Sequence, residues 1–277
     1  MKKMLSLALV LVLMMSLAAC GAKTETPAAT TAPAAAAETT AAAADTEAPA
    51  AEVKTIEAGK LIMSTNASFP PYEMIADDGS IEGIDVEVAD AIAKKLGLEL
   101  EVDDMDFDAA LLAVQQNKSD IVMAGVTVTD DRKLVMNFTD SYATGVQVVI
   151  VKEGSDVTLD NLGEKMIGTQ RGTTGYIFTS DDYGDDHVTA YDNGASAVQA
   201  LQNGQVDCVV IDAAPAEAYV EANPGLTILD TEYVVENYAI GVNKDNTALL
   251  DAINGALAEL TADGTIDAII GKYITAE

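Results

Sequence analysis

The chain has 277 residues, and its 45 acidic side chains against 15 basic ones give a formal net charge of −30. A surface this acidic keeps the protein soluble and is repelled by nucleic acid and by anionic lipid. One histidine and two cysteines leave no histidine cluster for a metal and no internal disulfide for a folded domain.

The chain opens on Lys2 and Lys3, followed by an apolar run from Leu5 to Leu17 broken only by Ser6 and Ser16, and then Ala18-Ala19-Cys20. Residues 1–19 read as a secretory signal, too short and too abruptly ended for a membrane span. Residues 20–53 hold Pro27, Pro33 and Pro49, no aromatic and no apolar period, so they read as a tether with nothing to pack against. Loss of the two leading lysines would leave 13 basic side chains and a formal charge of −32.

Residues 54–277 carry the folded part, enough for two modest cores. Leu61–Thr65 reads as a strand running into a loop that Pro70 and Pro71 keep from becoming helix. Asp85 can cap a helix with Val88, Ala89, Ile92, Ala93 and Leu96 at the 3.6-residue period, and Gly97 can end it. Leu98–Val102 alternates as a strand. Asp106 can cap a helix with Ala110, Leu111 and Val114 on one face, leading to a buried strand over Ile121–Val126. A short helix follows over Asp130–Val135. Gln147–Val151 then reads as a strand crossing between lobes. Beyond it come a strand at Met166–Gly168, a helix opening near Gly172–Thr174, a strand at Val188–Tyr191 and a helix capped by Asn193. Strands at Cys208–Ile211 and Leu226–Leu229 follow, then a returning strand at Tyr238–Val242. Helices over Asn246–Leu260 and around Ile266, Ile269 and Ile270 close the chain.

An internal repeat organises these elements. Residues 110–124 align without a gap on 197–211 at an offset of 87, matching Ala110 with Ala197, Gln115 with Gln202 and Asp120 with Asp207. Each copy is an amphipathic helix, a polar turn and an apolar strand, the helix-to-strand half of a parallel α/β unit. Two related α/β lobes imply a cleft between them, a favoured place to enclose a small ligand. Lobe 1 is expected over 54–146 plus 240–277 and lobe 2 over 147–239, joined by a double crossover hinge. Arg132 lies just beyond the Ile121–Val126 strand, at the edge where open α/β sheets bind ligands. The same offset pairs Asp212, at the end of the second repeat strand, with Gly125. Cys208 reads as a buried small hydrophobe, and His187 as a solvated residue in the acidic run 181–186.

Two resemblances sharpen this reading. Leu17-Ala-Ala-Cys20-Gly resembles the lipobox of bacterial lipoproteins, which implies cleavage before Cys20 and acylation of that cysteine, palmitate included. Over residues 57–275 the chain resembles the bacterial extracellular solute-binding proteins of family 3, the amino-acid receptors of ABC importers. The marks are Phe69-Pro-Pro-Tyr72-Glu73, Gly83-Ile-Asp85-Val-Glu-Val-Ala-Asp-Ala-Ile, Gly125-Val-Thr127-Val-Thr129 followed by Arg132, Gly172-Thr-Thr174-Gly175, and Val209-Val-Ile-Asp212. The resemblance implies a two-lobed, type II periplasmic-binding-protein fold that closes over one free amino acid and docks on a membrane permease.

Carried over residue by residue, the resemblance gives Arg132 the ligand's α-carboxylate, with Thr127 and Gly125 in support and Thr173 and Thr174 from the second lobe. Asp212 takes the α-ammonium, and Phe69 and Phe107, with Tyr72 as a weaker wall, bracket the side chain. Asn66 stands where relatives that select cationic or glutamine side chains often carry Asp. With Gln170 it suggests a neutral polar or sulfur-containing side chain. Arg171 either meets an acidic side chain or faces solvent. No catalytic residue, metal or cofactor is expected, and the protein is expected to act as a lipid-anchored monomer. The rival readings are a sensory ligand-binding subunit, a dehydratase-like enzyme of the same fold, or a metal receptor. The last has no histidine cluster, and the acidic run 181–186 lacks the spacing of a calcium loop.

Overall fold

The computed structural model describes residues 53–274; the signal, Cys20 and the tether lie outside them. The strands, in chain order, are β1 (Lys60–Thr65), β2 (Ser68–Phe69), β3 (Glu73–Ile75), β4 (Ile81–Glu82), β5 (Glu99–Asp104), β6 (Ile121–Val122), β7 (Met136–Lys152), β8 (Ile167–Gln170), β9 (Val188–Tyr191), β10 (Cys208–Asp212), β11 (Leu226–Ile228) and β12 (Val234–Asn243). The helices are α1 (Ile84–Lys95), α2 (Phe107–Gln115), α3 (Asp130–Val135), α4 (Thr174–Tyr183), α5 (Gly194–Gln202), α6 (Ala213–Ala222), α7 (Thr247–Ala262) and α8 (Thr265–Tyr273).

The main sheet runs β5-β1-β6-β12-β7-β10-β8-β9, with β11 added to β7. The long, antiparallel β7 and β12 lie at its centre and continue from one lobe into the other. To one side β1 pairs in parallel with β5 and β6; to the other β8 pairs in parallel with β9 and β10. Parallel strands need crossover helices, and those helices bury the faces of each half-sheet. Leu61, Met63, Val88, Ile92, Ile121, Ile253 and Leu257 form the core of the first lobe. Val149, Val151, Leu162, Ile167, Cys208 and Val210 pack together in the second. Burial pushes the Cys208 thiol up to about 12, which leaves it an inert apolar residue.

The repeat is also a structural one. Each copy's strand pairs in parallel within its own lobe, β6 with β1 and β10 with β8, and antiparallel with a crossover strand. The matched aspartates do matched work. Asp120 accepts from the backbone N–H of Ile62 at 2.9 Å and of Ile56 at 2.8 Å, and Asp207 accepts from that of Met166 at 2.8 Å. Each carboxylate ties the turn before its strand to the neighbouring strand.

Several local expectations are corrected. Asp85 does not cap α1: Gly83 holds the N-cap position, and the fully buried Asp85 accepts from Tyr142 Oη at 2.6 Å and from Gly125 N at 2.9 Å. Asp106 stands at the N-cap of α2 without a side-chain capping bond, whereas Asn193 does cap α5 through Ser196 N. The strand expected over Ile121–Val126 stops at Val122, because the chain must turn there to bring Gly125 and Thr127 to the cleft. The expected crossing at Gln147–Val151 is the end of a strand that starts at Met136. A small antiparallel sheet, β2-β3-β4, forms where only a loop was expected.

Candidate functional site

The turns that follow the strands converge on one small cavity between the lobes. Its lining from the first lobe is Asn66, Phe69, Glu73, Phe107, Ala124, Gly125, Thr127 and Arg132; from the second, Gln170, Thr173, Thr174 and Asp212. Ten of the expected ligand-binding residues are therefore brought together. Tyr72 is not among the lining residues: its ring is buried, stacked on Phe69 and edge-on to Tyr238, so it backs the wall. Arg171 points away and pairs with Asp192 at 3.0 Å, with its side chain 54% exposed.

Arg132 sits on α3, whose N-cap Thr129 accepts from the Arg132 N–H. Arg132 is only 8% exposed, and its guanidinium lies 5.4 Å from the centre of the Phe107 ring. It donates to the carbonyls of Thr127 at 2.8 Å and of Gly172, across the cleft, at 3.1 Å. No carboxylate pairs with it among the described residues. Burial pulls its pKa down to about 10, against the charges of Glu236 and Asp212, and it stays cationic. A fork held this way suits a planar anion such as a carboxylate.

Asp212 ends β10 and begins α6 without capping it. Gln147 Nε2 donates to its Oδ2 at 2.8 Å, and Tyr238 Oη donates to its Oδ1. Burial first, then the nearby Glu236, pushes the Asp212 carboxyl from its ordinary 3.8 to about 7, despite the two donors. A cation placed beside it would bring that value back down. Thr173 caps α4 by accepting from Tyr176 N, and its own hydroxyl donates to Gln170 O at 2.8 Å. The first N–H groups of that ten-residue helix form an electropositive end at the cavity.

Two glycines are required here. Gly125 has φ +54°, and a Cβ on it would lie 2.7 Å from the Phe69 ring. Gly172 has φ +75°, and a Cβ there would meet Asp108 of the opposite lobe at 2.4 Å. The lobes are in fact in contact over the cavity: Gln170 Nε2 donates to Asn66 Oδ1 at 3.0 Å, and Tyr219 Oη to Ser68 O at 2.7 Å. Asn66 and Gln170 thus latch the lobes together, a use not foreseen for two amides expected to read a side chain.

Sequence reasoning did not single out Glu73 or Ala124 as lining. Glu73 is fully buried beside Asp85, and burial together with that neighbour pushes its carboxyl well above the ordinary range. The signal was present: a lone acid in an apolar, proline-rich run, at the start of a strand. Among the described residues no group of His, Cys, Asp and Glu is arranged to hold a metal ion.

Residues 61–276 match the model of the bacterial extracellular solute-binding proteins, family 3. The chain belongs to that family. Among family 3 relatives it is 34% identical over 222 residues to a probable histidine-binding protein of Neisseria gonorrhoeae, covering 78% of this chain and 83% of the relative. It is 30% identical over 228 residues to an L-cystine-binding protein of Escherichia coli K12, covering 81% and 86%. A mutant of the protein ArgBP from T. maritima superposes with a TM-score of 0.74 at 38% identity, covering 79% of this chain and 96% of that one. Membership makes this chain an extracellular amino-acid receptor of an ABC importer, on the type II periplasmic-binding-protein fold. Its task is binding and delivery, not catalysis.

Proposed function

We propose that one free L-amino acid occupies the cavity with its α-carboxylate on Arg132 and its α-ammonium on Asp212. Gly125, Thr127, Thr173 and Thr174 supply further donors to the carboxylate, and Phe69 and Phe107 flank the side chain. The observation that carries this reading is the presence in one cavity, among the described residues, of a guanidinium with no carboxylate partner and a buried carboxylate with no cationic one. A zwitterion satisfies both at once, and each charge compensates the other for lost water. The lobes are taken as 54–146 plus 240–277 and 147–239, and the closed form is what the permease recognises. The protein acts as a monomer held to the membrane by acyl chains on Cys20. Two or three such chains hold firmly where one does not, and the intact mass of membrane-extracted protein tests the anchor.

The names of the relatives carry different ligands, so likeness alone does not choose the side chain. The amides of Asn66 and Gln170 suit a polar one. A thermal-shift screen of the common amino acids and cystine should show stabilisation by a small set. The decarboxylated amine and the deaminated acid of the best ligand should both fail. Equal stabilisation by either analogue would overturn the two-point clamp.

A further inference from the structure

Three linked side chains run behind the proposed ammonium anchor. β10, β7 and β12 are neighbours in the main sheet, and Asp212 of β10 stands directly opposite Gln147 of β7. Gln147 in turn stands opposite Val234 of β12, so Glu236, two positions on, projects from the same face. Gln147 Nε2 donates one hydrogen to Asp212 Oδ2 and the other to Glu236 Oε2, each at 2.8 Å. The reverse orientation would set the amide carbonyl against two carboxylates, so the bridge fixes this amide. Its Oε1 then lies at the first turn of α4, where a Cβ on Gly175 would come within 2.9 Å of it. All three residues are buried, and neither Gln147 nor Glu236 lines the cavity.

A link that served folding alone would not need an acid here. Any neutral acceptor could take the Gln147 hydrogen, whereas a buried carboxylate is destabilising unless it is fully paired. Glu236 Oε1 has no hydrogen-bond partner among the described residues. The charge of Glu236 reaches both ends of the clamp. It adds to the burial that raises the Asp212 carboxyl. Burial lowers the Arg132 value, and of the charges that oppose this Glu236 comes ahead of Asp212. β12 also frames the carboxylate end: Val128 N donates to Asn237 O and Ala239 N to Val126 O, each at 3.1 Å, on either side of Thr127.

Resting on the clamp described above, we propose that Glu236 is a positioning residue for ligand capture: through the Gln147 bridge it aims Asp212 into the cavity and adds a second negative charge behind the ligand's ammonium. Gln147 fixes one oxygen of Asp212, and Tyr238, also on β12, fixes the other. The two strands that cross between the lobes therefore hold the anchor. In the empty cavity the charge of Glu236 favours a proton on Asp212, and an incoming ammonium displaces it. Glu236 thus makes capture proton-linked near neutral pH. Tyr72, Glu73, Arg132 and Tyr238 also face Asp212 from the elements packed around it. Asp85, hydrogen-bonded to Glu73, is pushed by burial up to about 6. All of these stay in place when Glu236 alone is altered, so a comparison of parent and variant isolates its charge.

Carbon-13 NMR titration of the Asp212 carboxyl in the ligand-free protein, assigned with Asp212→Asn, reads that charge directly. The parent midpoint near 7 should fall by at least about one pH unit in both Glu236→Gln and Glu236→Ala. Capture is read by calorimetry between pH 5 and pH 8. The probe is whichever of the twenty common L-amino acids and L-cystine stabilises the parent most in a thermal-shift screen. In Glu236→Gln its affinity should fall at least about threefold at pH 8, and its decline on acidification should begin about one unit lower. A residue that only shaped the strand would weaken binding equally at every pH. An Asp212 midpoint within about 0.3 unit of the parent in a folded variant, a parent midpoint in the ordinary carboxylate range, or an unmoved pH profile would overturn the proposal. Failure of both variants to fold would make Glu236 structural and overturn it too. Those results would leave the clamp standing. Asp212→Asn binding the probe within tenfold of the parent, or stabilisation by none of the amino acids, would sink the clamp and the proposal together.

Discussion

Asp212 shows how one residue trades stability for binding. Its carboxyl in the free protein sits near 7 because burial outweighs the donors Gln147 and Tyr238. On the proposed clamp the ligand's ammonium requires the ionised form, so a proton must leave whenever binding occurs below that pH. Affinity should therefore fall as pH drops through 7, by up to about tenfold per unit. Stability runs the other way. The folded-state value lies above the ordinary 3.8, so the folded protein holds this proton more firmly than the unfolded chain. That contribution is complete below about 4 and is lost as pH rises towards 7. Asp212→Asn should thus raise the Tm of the ligand-free protein by a few degrees at pH 8 while binding collapses. Calorimetry and thermal melts between pH 5 and pH 8 check both halves. A ligand-free variant less stable than the parent at pH 8 would mean that the carboxylate is well compensated.

At the scale of elements, the repeated helix–turn–strand unit should be tied by its aspartate in both lobes, but unequally. Asp120 is buried and holds two backbone N–H groups, whereas the more exposed Asp207 holds one. Removing a partner from a buried N–H costs about 1–3 kcal/mol. Asp120→Ala should therefore cost roughly 2–4 kcal/mol in urea unfolding and Asp207→Ala about 1 kcal/mol. Equal losses, or the reverse order, would show that these carboxylates do not act as turn ties. Both positions were legible as a matched pair, because a 15-residue alignment at one offset survives only where both copies fold alike. Their bonds were not legible, since the partner residues Ile62 and Met166 lie 58 and 41 residues away.

Across the whole molecule, sequence pattern located the half-sheets, the crossovers and most of the cavity wall. Amphipathic periods and turn residues act locally, and the motifs after β6, β8 and β10 place their side chains at one sheet edge. What pattern could not supply was pairing across the cleft. The Asn66–Gln170 latch joins residues 104 apart, and only their geometry shows which amide atoms remain free. Asp85 looked like a helix cap because capping is its common use; its carboxylate instead accepts from Gly125 N and from Tyr142 Oη. Glu73 escaped notice as a lining residue for the same reason: a charged residue in a loop is ordinarily solvated, whereas here it is buried at the start of β3, paired with Phe69 of β2.

The account stands on Arg132 as the anchor of the ligand carboxylate. Calorimetry of the unaltered protein and of Arg132→Ala, each titrated with the amino acid that stabilises it best, tests that claim most directly. Truncation would leave a desolvated carboxylate without its bidentate partner, a loss of about 2–5 kcal/mol, so affinity should fall by at least about thirtyfold with the fold intact by circular dichroism. A folded Arg132→Ala that binds within tenfold of the parent would contradict the account.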